Sequence, residues 1–88
     1  MITDEERVFF MRSKLRKEVL KELNKNPTIA SILSKRMNLY RETISRVFSD
    51  LLDRGYVECS SPNSTNYRFY RITSKGKKVL KELENKDL

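Results

Sequence analysis

A mainly α-helical fold with one small β-hairpin (α+β) is predicted by three features of this 88-residue chain. Apolar residues recur at spacings of three and four through most of it, switch to alternation near residue 56, and return to helical spacing after residue 73. Only two Gly and two Pro occur, and they fall where the pattern changes. A chain of 10.5 kDa has room for a single core, so one domain over residues 1–88 is expected.

The first helix is placed at residues 3–26. Thr3 is a suitable N-cap, the following Asp4, Glu5 and Glu6 complement the helix dipole, and Lys21 and Lys25 lie at the far end. Val8, Met11, Leu15, Val19 and Leu23 form one apolar stripe, flanked by Phe9, Phe10 and Leu20, and Pro27 closes the element. A second helix, 28–37, turns Ile29, Ile32 and Leu33 to one side. After the break Asn38-Leu39-Tyr40, a third helix at 41–54 directs Ile44, Val47, Phe48, Leu51 and Leu52 inward, and Gly55 ends it in a left-handed conformation. Strands are expected at 56–60 and 67–73, rich in Tyr and Phe, joined by the polar loop 61–66. Thr73 caps a last helix, 74–85, whose apolar side is Val79, Leu80 and Leu83, and Gly76 admits a close backbone approach.

Composition narrows the chemistry. Nineteen Lys and Arg against twelve Asp and Glu leave a net charge of +7 and a pI near 9.8, which favours polyanionic partners, nucleic acid first. No His is present and Cys59 is the only Cys, so His-based acid–base chemistry, zinc fingers and an intrachain disulfide are excluded. No pair of groups has the spacing of a catalytic base and nucleophile. The expectation is a non-enzyme with no cofactor, no metal and no membrane segment, in a reducing cytoplasm.

The order helix, helix, short turn, helix, hairpin, helix is the winged helix-turn-helix arrangement. Residues 27–57 (PTIASILSKRMNLYRETISRVFSDLLDRGYV) resemble the helix-turn-helix of bacterial and archaeal transcription regulators. Residues 67–83 (YRFYRITSKGKKVLKEL) resemble the second wing strand and following helix of MarR-like and PadR-like regulators, which often read Y-x-L-T-x-x-G. The resemblance implies a prokaryotic, nucleoid-associated regulator that reads duplex DNA with the third helix in the major groove and the wing on the backbone or minor groove. The run from Tyr40 to Arg46 departs from the family pattern at Tyr40, where a small N-cap is usual.

Helical spacing assigns the contacts. With 44, 47, 48, 51 and 52 inward, Arg41, Glu42, Thr43, Ser45, Arg46 and Ser49 remain on the outer surface. Arg41 and Arg46 suit bidentate bonds to guanine, and Glu42 suits a cytosine amino group. Tyr40, Thr43, Ser45, Ser49, Lys35 and Arg36 are candidates for the DNA backbone. In the wing, Asn63, Ser64, Asn66 and Arg68 are candidates for contact, with Lys75 and Lys77 as supporting basic residues. No acid occurs between Glu22 and Glu42 or between Glu58 and Glu82, and these stretches coincide with the proposed DNA-facing elements.

Competing assignments use the same residues. Tyr67, Phe69 and Tyr70, interleaved with Arg68 and Arg71, could form a stacking platform for single strands, although core packing accounts for most of the rings. Lys14, Arg16 and Lys17 serve either a solvated exterior or the phosphate backbone. A homodimer is expected because one helix reads only a few base pairs, with Ile2, Phe9, Phe10, Leu83 and Leu88 as candidate interface residues. The alternatives are a winged-helix module for protein–protein contact, or an architectural or single-strand nucleic-acid binder without sequence preference.

Overall fold

The computed structural model describes residues 2–60 and 68–85. Its elements follow in the order α1 (Asp4–Met11), α2 (Lys14–Lys25), α3 (Ala30–Met37), α4 (Arg41–Asp53), β1 (Val57–Cys59), β2 (Tyr70–Ile72) and α5 (Ser74–Asn85). The fold is mainly helical with one antiparallel hairpin, as the sequence predicts, but the described residues contain one more helix than expected.

The extra helix comes from a break in the first. Arg12 caps α1, and Ser13 adopts an extended conformation (φ −151°, ψ 107°) before α2 begins. The expected stripe puts Val8 and Met11 inward with Phe9 and Phe10 at its flank, and the structure reverses that order. A continuous helix in register with Val19 and Leu23 would have buried the first pair. The break lets α1 turn the two aromatic rings inward instead, leaving Phe9 and Phe10 at 6% and 4% exposure and Val8 and Met11 at 46% and 74%. Aromatic side chains bury the larger apolar area, about 150–250 Å² each, so this phase prevails. Phe9, Phe10 and Tyr56 then form a ring cluster with centroids 5.0 to 5.8 Å apart.

Most local signals appear where the sequence places them. Thr3 and Glu6 form a reciprocal capping box at the start of α1. Gly55 takes φ +79° after α4, where its N–H donates to Leu52 O and the N–H of Tyr56 donates to Leu51 O, both at 3.0 Å. The Thr73 hydroxyl accepts from the Gly76 N–H and donates to the Gly55 carbonyl at 2.7 Å, so one side chain ties the start of α5 to the end of α4. Helix α3 begins two residues later than expected, because Thr28 is paired with Tyr70 as an isolated antiparallel bridge. The strands are also shorter than predicted, in the register Val57↔Ile72, Glu58↔Arg71 and Cys59↔Tyr70. Glu58 and Arg71 form an ion pair on the solvent side, while Val57 and Tyr70 face the core.

Helix α2 is central, packing on α1, α4, α5 and β2. Val19, Leu20, Leu33, Ile44, Phe48 and Leu51 are fully buried around it, and the Phe48 ring lies 4.4 Å from that of Tyr70. Ile32 and Leu52, both expected inward, are exposed. Each lies at the margin of its helix's apolar arc, and Leu33 and Leu51 beside them take the inward positions. The residues expected at a dimer interface change status too. Ile2, Phe9 and Phe10 are buried in this chain's own core, Leu83 is half-buried against it, and Leu88 lies outside the described residues.

The contact between Tyr56 and Glu6 joins the root of the hairpin to the start of α1. The Tyr56 hydroxyl donates to Glu6 Oε2 at 2.9 Å. The Thr3 backbone N–H holds the Glu6 carboxyl below its ordinary value near 4.5; burial opposes this, and the Tyr56 and Thr3 hydroxyls reinforce it. For Tyr56 itself, burial and the Glu6 hydrogen bond both raise the phenol. A carboxyl whose folded value is depressed stabilises the fold above its unfolded value, and that contribution is lost as pH falls from about 4.5 through the lowered folded value. Glu6→Gln is therefore expected to flatten the acid limb of the stability profile and leave the profile near neutrality parallel to wild type. Urea denaturation at intervals across the acid range checks this. An unchanged acid limb refutes the assignment.

Candidate nucleic-acid interface

The candidate interface is built on α3, the turn after it and α4. Asn38 caps α3 in the left-handed region (φ 59°), a conformation its short amide side chain tolerates, and the chain reverses into α4. Tyr40 is the N-cap of α4 by its backbone, which is extended and whose carbonyl accepts from the N–H groups of Thr43 and Ile44. Its side chain makes no capping bond and stands 79% exposed. The helix thus starts at Arg41, and the aromatic ring that replaces a small cap projects beside it.

Ile44, Val47, Phe48 and Leu51 anchor α4 to the core. The opposite surface carries Arg41, Glu42, Ser45, Arg46 and Ser49, all exposed, with Thr43 half-buried at the margin. Among the described residues none of the five exposed side chains is engaged in a hydrogen bond or ion pair. Two guanidinium groups therefore stand on one surface of a helix about 10–12 Å across, a size that enters the major groove of B-form DNA.

The other sequence-predicted residues divide. Lys35 on α3 is exposed and has no side-chain partner among the described residues. Arg36 is exposed but donates to Glu22 of α2 at 3.3 Å, and Glu22 also accepts from Lys25 at 3.3 Å. Burial alone would raise the Glu22 carboxyl, but the two cations outweigh it and hold it below its ordinary value. Arg68 is exposed just before β2, whereas Asn63, Ser64 and Asn66 lie outside the described residues. Lys75 is held by the protein itself: its Nζ donates to the Arg54 carbonyl at 2.6 Å and lies 4.9 Å from the centre of the Tyr56 ring. Lys77 is exposed on α5, a helix that packs on α2 and β2. The exposed cations of α3 and α4 are thus brought together on one helix pair, and Lys75 and Lys77 belong to a separate element. Of the aromatic residues in the wing, Tyr70 is core, Phe69 is exposed and Tyr67 is outside the described residues.

One supporting residue was read as exterior in the sequence. Arg16 donates to the Phe9 carbonyl at 2.6 Å and to Asp50 Oδ2 of α4 at 3.2 Å, while its guanidinium stacks 4.0 Å from the centre of the Phe9 ring. It connects the end of α1 to the recognition-helix candidate and so sets the angle at which α4 is presented. The signal was available: Arg16 shares spacing with Val19, Leu20 and Leu23 on the inward side of α2, where a charge needs partners. Among the described residues, no three His, Cys, Asp or Glu side chains gather as a metal site, and no helix is long and apolar enough to cross a membrane.

The profile of the HVO_A0261 N-terminal domain family matches residues 4–86. The chain belongs to this family. A curated relative, the uncharacterized HTH-type transcriptional regulator MJ0361 of Methanocaldococcus jannaschii, is 37% identical over 71 residues, covering 77% of this chain. The chain spans 66% of that relative's length. Among solved structures, an ArsR-like transcriptional regulator from Rhodococcus sp. RHA1 superposes with a TM-score of 0.69 over 93% of this chain and 76% of its own, at 21% identity, which is a likeness of fold. Neither match carries the MarR-like or PadR-like name, so that subfamily resemblance is set aside. The reason is physical. In this HVO_A0261 family member the run Tyr70-x-Ile72-Thr73-x-x-Gly76 is used for packing: Tyr70 stacks on Phe48, Ile72 pairs with Val57, Thr73 caps α5, and Gly76 meets the Tyr56 carbonyl. Any winged helix with this junction selects such residues, whatever its subfamily.

Proposed function

We propose that the chain is a winged-helix unit of a transcription regulator that binds double-stranded DNA sequence-specifically as a homodimer, on the chromosome within the cytoplasm. The observation that carries this reading is the exposed outer surface of α4, where Arg41 and Arg46 stand with no partner among the described residues. Lys35 beside them supplies a phosphate contact, and Arg68 supplies one from the wing. The name of the curated relative and the net charge of +7 agree with it. Two copies double the contacts on a near-palindromic site, which one short helix cannot provide alone.

The test separates base reading from charge attraction. A preferred duplex is first selected from a random pool. Arg41→Ala and Arg46→Ala are expected to weaken that site by about 1–3 kcal/mol each while changing a scrambled duplex much less. Lys35→Ala is expected to weaken both duplexes and to lower the salt slope by about 0.9. Equal losses on both duplexes for the two Arg variants would refute base reading by α4. Unchanged affinity on both would remove α4 from the interface and favour a protein partner.

A further inference from the structure

Helix α1 presents to solvent a surface that is complementary to itself. Its exposed residues are Asp4, Glu5, Val8 and Met11, followed by the capping Arg12. At about 100° per residue these five share one arc roughly 120° wide, with Val8 at its centre and Phe9 and Phe10 turned to the opposite side. The arc is acidic at its N-terminal end, apolar in the middle and basic at its C-terminal end. Among the described residues, the side chains of Asp4, Glu5 and Arg12 have no hydrogen-bond or ion-pair partner. Among the described residues Met11 is the second most exposed large apolar residue, after Tyr40, and Val8 is close to half-exposed at the solvent pole of its helix.

We infer that α1 is a homodimer interface, docking antiparallel on α1 of a second copy about a two-fold axis beside Val8. Antiparallel pairing places Val8 against the partner's Val8. It sets Asp4 and Glu5 of one copy opposite Met11 and Arg12 of the other, and the symmetry repeats the arrangement. Asp4 then meets the partner's Arg12 at each end of the seam, Glu5 lies beside that pair against Met11, and both exposed apolar residues are covered. A parallel arrangement would set acid against acid and base against base. The cleft of about 590 Å³ between α1 and the end of α4 adjoins this arc and brings Asp53 to the same side, while Arg54 there is held over the Phe9 ring. The pairing surface is two turns long, so the dimer belongs with small, weakly associating interfaces. This inference rests on the homodimer of the proposed function and on none of its DNA contacts. It also places the interface on the residues that the Arg12–Ser13 break turns outward, in place of the aromatic pair it turns inward.

Charge reversal tests it in the absence of DNA. One variant carries Asp4→Lys with Glu5→Lys, a second Arg12→Glu, and a third Val8→Glu, which sets two like charges at the axis. Wild type is expected to sediment at twice 10.5 kDa at high protein concentration. Each variant alone is expected to dimerise at least about tenfold more weakly, because like charges then face each other. An equimolar mixture of the first two is expected to form a heterodimer about as tightly as wild type, visible by native mass spectrometry, because all-basic ends then meet all-acidic ends. Circular dichroism melts verify folding, and all four substituted positions are exposed, so the variants remain informative. Wild type that stays monomeric, single variants that dimerise like wild type, or a mixture that fails to pair each overturn the interface. Binding of the same variants to a half-site duplex is read separately: loss there without loss of dimer points to the DNA reading, and the converse to this one.

Discussion

Phe48→Ala is expected to lower the unfolding free energy by about 3–5 kcal/mol, the range for truncating a fully buried aromatic residue. Phe48 has no solvent exposure, and its ring stacks on Tyr70, so it joins α4 to the hairpin across the centre of the molecule. Small domains hold a total of only about 5–15 kcal/mol, and this one sits among the smaller of them, so the loss is a large fraction of what is available. The variant is expected to show a lowered urea midpoint, and the proposed DNA binding is expected to fall with the folded fraction. Tyr40→Ala is the matched control. That ring is almost fully exposed, and its removal is expected to change stability by less than about 0.5 kcal/mol. Denaturation curves of the two variants side by side decide the matter. Equal losses would mean that Phe48 is not the centre of the core.

Gly76→Ala tests a sign as well as a size. By helix propensity alone, alanine in α5 should stabilise by about 1 kcal/mol. In the structure a Cβ at Gly76 would lie 2.1 Å from the Tyr56 carbonyl oxygen and 2.7 Å from Ile72 Cγ1. The carbonyl cannot easily withdraw, because the same oxygen accepts the Thr73 N–H at 3.0 Å. Overpacking of this kind costs typically about 1–3 kcal/mol, and a clash with anchored backbone belongs at the top of that range, so steric cost outweighs propensity. The expected net result is destabilisation by about 2 kcal/mol, with the hairpin and the start of α5 loosened together. Gly55→Ala makes a useful comparison. There a Cβ would meet only the Lys75 side chain at ordinary contact distance (3.8 Å), and the penalty comes from φ +79°, at about 1–2 kcal/mol. If Gly76→Ala raises the melting temperature, the close approach of α5 to Tyr56 is wrong.

How much of this was legible beforehand depends on the reach of each interaction. The N-cap at Thr3, the left-handed Gly55, the Thr73 cap and the small residue at Gly76 each act within a few positions along the chain, and residue type alone revealed them. The outward set on α4 was equally legible, because a 13-residue helix with one strong apolar arc has a single favourable phase. The candidate site therefore came from periodicity. Its commitments did not. That Arg36 pairs with Glu22 and that Lys75 is held by the Arg54 carbonyl depend on neighbours 14 and 21 positions away in sequence, which no local pattern records.

The first helix shows the division most plainly. Sequence by itself determined that residues 4–25 favour helix, and its spacing put Val8 and Met11 on the inward stripe with Phe9 and Phe10 at the flank. The structure buries the second pair and exposes the first. Only the tertiary structure decided between them. A helix can be satisfied locally in either phase, since its backbone hydrogen bonds are the same. Burial is settled by what lies opposite: the Tyr56 ring and the Arg16 guanidinium give Phe9 and Phe10 partners that Val8 and Met11 would not fill. The break at Ser13 follows from that choice, and so does the surface that α1 turns to solvent.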